Sequence, residues 1–167
     1  YGIASTEPLT QRLGHLVRAG QCYVHRNGLD RHNIFTAGPS AADKGHLNIF
    51  YGSGTQAHNS DFTDLALPAL ERILAEHPQV RLTVVGYLKL PQAFTERFED
   101  QVVQAPLVSN IKAYWQYLQA SDINLAVLHR DAINDCKSEL KWFEAACFGI
   151  PSVLSRTQNY EDVIRDG

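Results

Sequence analysis

Glu144 follows Phe143 and precedes Ala145-Ala146-Cys147, on an otherwise apolar half of an expected helix. A carboxylate there is costly to desolvate without a partner, and a pair of ligand hydroxyls is a good one. Lys137 and Lys141, with Ser138 between them, stand near the start of the same stretch. Two cations beside the free amide N–H groups of a helix N-terminus suit an anion such as a diphosphate. Taken alone, the lysines suit equally well a solvated i, i+4 face with Glu144 paired to one of them. The spacing predicts a helix over 138–148, capped by Asp135 or Ser138, ended by Gly149 in a left-handed cap and turned away by Pro151. Leu140, Phe143 and Cys147 recur at three and four and are expected to form its buried face.

A second constellation is Gly52-Ser53-Gly54-Thr55-Gln56-Ala57, which follows an apolar strand and fits G-x-G-x-x-G/A. Glycines in that pattern let a backbone approach a pyrophosphate, although an ordinary glycine-rich turn fits equally well. A dinucleotide site also needs an acid about 20 positions on, at the end of the second strand. That strand ends in Val85-Gly86-Tyr87, while Glu71 and Glu76 belong to the intervening helix. The alternative of a dinucleotide-dependent oxidoreductase domain therefore lacks its second half. His58, just past the loop, and His129 could meet phosphate oxygens, or a metal with Asp61 or Asp131, but isolated loop histidines usually do neither. With no carboxylate pair at metal spacing, no metal is expected.

The elements that must position these groups alternate between short apolar runs and amphipathic stretches, the pattern of parallel α/β units. Strands are expected at 47–51, 80–85, 101–105, 123–128 and 152–154, and helices at 62–76, 91–99, 110–120, 138–148 and 160–164. In the first helix Leu65, Leu70, Ile73 and Leu74 form one stripe, and Pro68 moves its true start toward Leu65 or Ala66. If the strand at 123–128 is parallel to its neighbours, the helix carrying Glu144 faces the crevice in which open α/β sheets bind ligands. Before residue 45, short strands at 3–5 and 22–25 flank a helix at 8–17 with Ser5 or Thr6 as its cap. The turn Asn27-Gly28-Leu29-Asp30 and the polar stretch 36–45 mark the best domain boundary.

The chain has 167 residues, 44% hydrophobic and 20% charged, enough for one full core and too little for two large domains. A net charge of -3 provides no basic field for nucleic acid or an anionic membrane. Three cysteines without CxxC spacing argue against a disulfide scaffold or structural zinc, and so for a reducing, cytoplasmic setting. No run approaches the roughly 20 apolar residues of a transmembrane helix, and no secretion signal opens the chain. Without Met and ending on Arg165-Asp166-Gly167, the sequence is expected to be cut from a longer one.

Glu144-Ala-Ala-Cys-Phe-Gly-Ile-Pro-Ser-Val resembles the "E-A-x-A-x-G-x-P-V-V" element of retaining glycosyltransferases with two Rossmann domains, the group 1 or family-four type of the GT-B fold. The order of other motifs agrees. Asn27 to Asp30 resembles the "N-G-V-D" entry to the C-terminal domain, 47–54 its first strand and glycine loop, and Leu82-Thr-Val-Val-Gly86 its "l-x-i-v-G" strand. Tyr114-Trp115 through Ser121-Asp122 resembles "Y-x-x-a-D-v-x-l", and 159–167 the "x-x-e-x-i-x-d-G" ending. The resemblance implies a Rossmann-like parallel sheet with helices on both faces over 31–167. Residues 1–30 would then be the remnant of a preceding, acceptor-binding domain and its linker. It further implies sugar transfer with retention from a nucleoside diphosphate sugar, with Glu144 on the ribose hydroxyls and no metal required. Peripheral attachment to the inner face of a membrane would run through the preceding domain, and the isolated fragment would not turn over. A non-catalytic module that kept the fold is the remaining alternative.

Two departures stand out. The family's first glutamate, eight positions before Glu144, falls on Cys136, so the contact to the donor sugar is missing or displaced to Asp135 or Glu139. The catalytic group stays unassigned, with Cys136 and Glu139 on the cleft side. The family's diphosphate-binding arginine and lysine fall near Ser53 and at Asn59-Ser60. Lys137 and Lys141 would restore the charge, completing a donor-binding set of Ser53, Gly54, Thr55, His58, Lys137, Ser138, Lys141 and Glu144.

Overall fold

The computed structural model describes residues 1–28 and 45–165, apart from the side chain of His58. Leu29 and Asp30 of the expected turn, most of the polar stretch 36–45 and the boundary at residue 30 lie outside the described residues, as do Asp166 and Gly167.

Five parallel strands, β3 (Leu47–Ser53), β4 (Val80–Gly86), β5 (Val102–Ala105), β6 (Ile123–Ala126) and β7 (Ser152–Leu154), form one sheet in the order β5-β4-β3-β6-β7. Buried at all but its first residue, β3 is what a central parallel strand covered on both faces must be. Its alternating side chains split the core in two. Ile49 and Tyr51 pack with Phe62, Leu70 and Leu74 from α2 (Asn59–Leu65) and α3 (Leu67–Glu76), on the face that also takes Phe94 of α4 (Gln92–Arg97). Phe50 points the other way, toward Leu118 of α5 (Ile111–Gln119) and Ala145 of α6 (Leu140–Cys147), with Phe148 and Ile150 beyond. The chain is therefore α/β, a Rossmann-like parallel sheet with helices on both faces.

A separate two-stranded parallel sheet pairs β1 (Gly2–Ala4) with β2 (Cys22–Val24) around α1 (Glu7–Gly14). Thr6 caps α1 by accepting from the Leu9 amide at 3.3 Å, as expected, and the helix stops three residues short of Val17.

Several boundaries differ from the sequence expectation. Strand β3 continues two residues past Tyr51 because Gly52 and Ser53 keep pairing with Val85 and Gly86. Gln101 is not strand: its backbone amide donates to the Phe98 carbonyl, and its side-chain Nε2 donates to the carbonyls of Leu74, His77 and Val80 and pins the turn between α3 and β4. The expected helix 62–76 is two, broken at Ala66, with Pro68 in the first turn of α3. That break turns Leu65 outward, so it is exposed and absent from the stripe.

Candidate functional site

Strand order reverses between β3 and β6, and ligands of open α/β sheets bind outside the carboxyl ends of strands at such a point. A cavity of about 310 Å³ opens there, within the range of small-molecule sites. Its floor is Gly52 to Gly54 and Val85. One wall is Leu107 to Ser109 with Ile111 and Tyr114, and the other is Leu140, Lys141 and Glu144 of α6.

Helix α6 is not capped as expected. Glu139 occupies the N-cap position and its side chain makes no cap bond to the first-turn amides. Asp135 instead accepts from the Gln158 amide at 2.9 Å, and the Ser138 hydroxyl accepts from Asn27 Nδ2 at 2.9 Å. Gly149 does adopt the left-handed conformation, φ 68°. The buried face also differs. Leu140 is 43% exposed, while Lys141, Ala145 and Phe148, spaced four and three apart, turn toward the sheet.

Lys141 is consequently drawn inside. Its Nζ is buried, has no hydrogen-bond partner among the described residues, and lies 4.9 Å from the centre of the Tyr51 ring. Burial lowers its pKa from 10.5 to about 8, helped by Lys137 and opposed by Asp61 and Glu144. An ammonium so placed feels Asp61 and Glu144 but hydrogen-bonds to neither, which leaves its donors for a ligand anion. Burial likewise pushes the Glu144 carboxyl up, against the opposing pull of the Trp115 indole and of Lys141. Lys137 is held down by burial and up by Asp61 and Asp131. It lines, with Ser138, Leu140, Lys141, Leu128 and Tyr160, an adjoining cavity of about 240 Å³.

The glycine loop has two functions. At Gly52 a Cβ would collide with the Tyr114 hydroxyl, so this glycine lets the Tyr114 ring lie against the strand. Gly54 faces open space, and the Ser53 hydroxyl is turned inward to the Thr55 carbonyl at 2.9 Å. Gly86 has φ 116° with the Ser53 carbonyl where a Cβ would stand, and the Tyr87 amide donates to that carbonyl. No acid follows β4.

A family model described as "Glycosyl transferase-like" matches residues 67–167, more than half of the chain. The chain belongs to this glycosyl transferase-like family. No curated protein matches it in sequence. Its fold is shared with the glycosyltransferase WaaG, involved in lipopolysaccharide biosynthesis, at TM-score 0.68 and 14% identity over 97% of this chain and 46% of that one. It is shared with Anabaena HepE in complex with UDP and glucose, at 0.63 and 18% over 99% and 46%. A third is a S. aureus TarM mutant in complex with fondaparinux, alpha-GlcNAc-glycerol and UDP, at 0.64 and 14% over 98% and 31%. The chain thus spans less than half the length of each, and its fold is one half of the GT-B type.

In this glycosyltransferase-like chain the candidate residues divide into two groups. Ser53, Gly54, Lys141 and Glu144 meet at the first cavity, Lys137 and Ser138 at the second, while Thr55 is exposed on the loop and the His58 side chain lies outside the described residues. Cys136 and Glu139 line neither. The Cys136 thiol is buried and donates to the Ala132 carbonyl, and Glu139 is buried between Arg26 and Asn159. His129 pairs with Asp64 at 3.1 Å, and no group of three or more metal-ligating side chains exists among the described residues. Sequence reasoning missed Tyr51, Tyr114 and Trp115 as site residues and gave Asp61 only a metal role. Asp61 is buried, accepts from the His129 amide at 2.8 Å and sets the field around both lysines. No helix is long and apolar enough to cross a membrane among the described residues.

Proposed function

We propose that this chain is the donor-binding part of a retaining glycosyltransferase, one that moves a sugar from a nucleoside diphosphate sugar to an acceptor held by a preceding domain. The observation that carries the reading is the buried Lys141 ammonium, without a hydrogen-bond partner among the described residues, sharing one cavity with Glu144 at the switch point of the sheet. The nucleoside would occupy the apolar side, between Val85, Val108 and Tyr114, with its ribose hydroxyls donating to the Glu144 carboxylate. The diphosphate would lie against Lys141, Lys137 and the uncapped amides of α6. Charge that develops on the leaving phosphate oxygen then meets fixed positive groups already in place. These charges suffice without a metal. UDP, present in the HepE and TarM structures, is the first nucleotide to try here.

The same reading assigns residues 1–30 to the end of the preceding domain and its linker, and 31–167 to the donor domain. The acceptor side of the cleft would then belong to other residues, so the 167-residue chain binds donor and does not turn it over. Its free thiols, Cys22, Cys136 and Cys147, suit a cytoplasmic setting, with any attachment to the inner face of a membrane made through the preceding domain.

The test is thermal shift with UDP, GDP, ADP, their sugars and NAD, on the wild type and Glu144→Ala. A nucleotide at about a hundred times its Kd stabilises by about 2.7 kcal/mol, or about 5 to 11 °C for a chain of this size. A nucleoside diphosphate response lost in Glu144→Ala is expected. A response to NAD alone, or none to any nucleotide, overturns the reading.

A further inference from the structure

Five consecutive residues, 135–139, lead into α6, and each is gripped from outside. The Thr6 hydroxyl donates to the Cys136 carbonyl at 2.8 Å, and Asn27 Nδ2 to the Ser138 hydroxyl at 2.9 Å. One Arg26 guanidinium nitrogen donates to Glu139 Oε1 at 3.4 Å and to Asn159 Oδ1 at 3.3 Å. Asn159, on α7 (Gln158–Val163), donates through Nδ2 to Glu139 Oε2 at 2.8 Å and to the Lys137 carbonyl at 3.1 Å. The Gln158 amide donates to Asp135. Glu139 is 6% exposed and Asn159 fully buried, so the carboxylate is tolerable only because both its oxygens are met.

From this arrangement we infer that 135–139 is a coupling element and that Glu139 is a positioning residue, linking the place of the Lys137 ammonium group to the segment that ends in Arg26 and Asn27. The inference rests on the reading of Lys137 and Lys141 as the diphosphate site. Lys137 leaves the gripped segment on one side, toward the cavity it shares with Ser138 and Lys141. Arg26 enters on the other, from the strand β2 side. A shift of Arg26 is passed through two hydrogen-bonded side chains to the backbone of Lys137, with no intervening flexible residue. Coupling of this kind is reciprocal: a diphosphate that fixes Lys137 must steady residues 25–28, and residues 25–28 must tune diphosphate affinity.

The experiment is amide hydrogen exchange of residues 25–28, with and without UDP, alongside UDP affinity, for the wild-type chain, Arg26→Ala and Glu139→Gln. Arg26 is exposed, and although Arg26→Ala leaves one Glu139 oxygen unmet, Glu139→Gln removes the charge itself, so the two variants do not lose stability for the same reason. In the wild type UDP slows exchange at 25–28. In Arg26→Ala that response disappears and UDP affinity falls about fivefold or more, the lower end of ordinary coupling. A merely structural bridge would lower the melting temperature and leave both readouts unchanged. Unchanged UDP affinity in Arg26→Ala, or wild-type binding without protection at 25–28, overturns the coupling and leaves the donor site standing. A wild type that does not bind UDP overturns the donor-site reading and the coupling with it.

Discussion

Replacing Lys141 with Met should make the protein more stable and worse at binding, and the size of each effect follows from one buried ammonium. Unfolded, the lysine titrates at 10.5; folded, burial brings it to about 8. Below pH 8 both states are protonated and the folded state bears the full cost of burying the charge, about 3 kcal/mol for a shift of this size. Between pH 8 and 10.5 the folded state sheds its proton while the unfolded state keeps it, so wild-type stability climbs through that window. Met fills similar space without charge. It loses the contact with the Tyr51 ring, worth about 1 kcal/mol, leaving a net gain of about 2 kcal/mol at pH 7. For a chain of this length that raises the melting temperature by about 4 to 8 °C. UDP affinity should fall about tenfold or more, as loss of a charge-assisted bond implies. Calorimetric melts of both proteins at pH 7, 8.5 and 10, with UDP titrations at pH 7, check this. A less stable variant at pH 7, a stability gap that fails to narrow toward pH 10, or undiminished UDP affinity would refute it.

Wild-type UDP affinity, measured calorimetrically from pH 7 to 10, should weaken as pH rises through about 8, approaching tenfold per pH unit, because the anion binds the protonated lysine. Glu144→Gln should remove a loss of stability that the wild type shows as pH rises through the raised carboxyl pKa, because the folded state there holds a proton that the unfolded state has lost; paired urea melts from pH 4 to 7 read it. Gly86→Ala should cost about 2 to 4 kcal/mol in a urea melt, since alanine meets both an unfavourable φ of 116° and the Ser53 carbonyl. Asn124→Ala should cost about 1 to 3 kcal/mol by the same measurement, removing the bonds that Asn124 makes to the Lys141 carbonyl and the Ser152 hydroxyl at 3.2 and 3.0 Å.

The sheet was legible because parallel strands covered on both faces leave nearly continuous apolar runs, such as Leu82, Val84 and Val85. Helix faces were less so. A count of apolar spacings prefers Leu140 to Lys141, yet the sheet covers the lysine and leaves the leucine at the cavity mouth. A single charged side chain can lie on the inner face when an aromatic ring and a ligand site receive it, and periodicity has no means of representing that. The break at Ala66 was visible through Pro68, but the turn it imposes on Leu65 depends on where α2 ends. Likewise Asn48 and Asp122, bonded across β3 and β6 through the Asn48 amide at 2.7 Å, are joined only by strand order.

Of the site, the part carried on one stretch of chain was readable: Lys137, Lys141 and Glu144 are seven residues apart end to end. What comes from elsewhere, Tyr51 under the ammonium, Tyr114 against Gly52 and Asp61 with its charge acting on both lysines, required the fold. The two lysines are also anchored differently. The Lys141 backbone is tied to Asn124 in β6 and so moves with the sheet, whereas the Lys137 backbone is tied to Asn159 and, through it, to Arg26. A change at Arg26 should therefore displace Lys137 and spare Lys141. In Arg26→Ala the pH dependence of UDP affinity, which Lys141 governs, should keep its midpoint near 8 while the affinity itself drops. A midpoint that moves with the affinity would mean that both lysines hang from the same support.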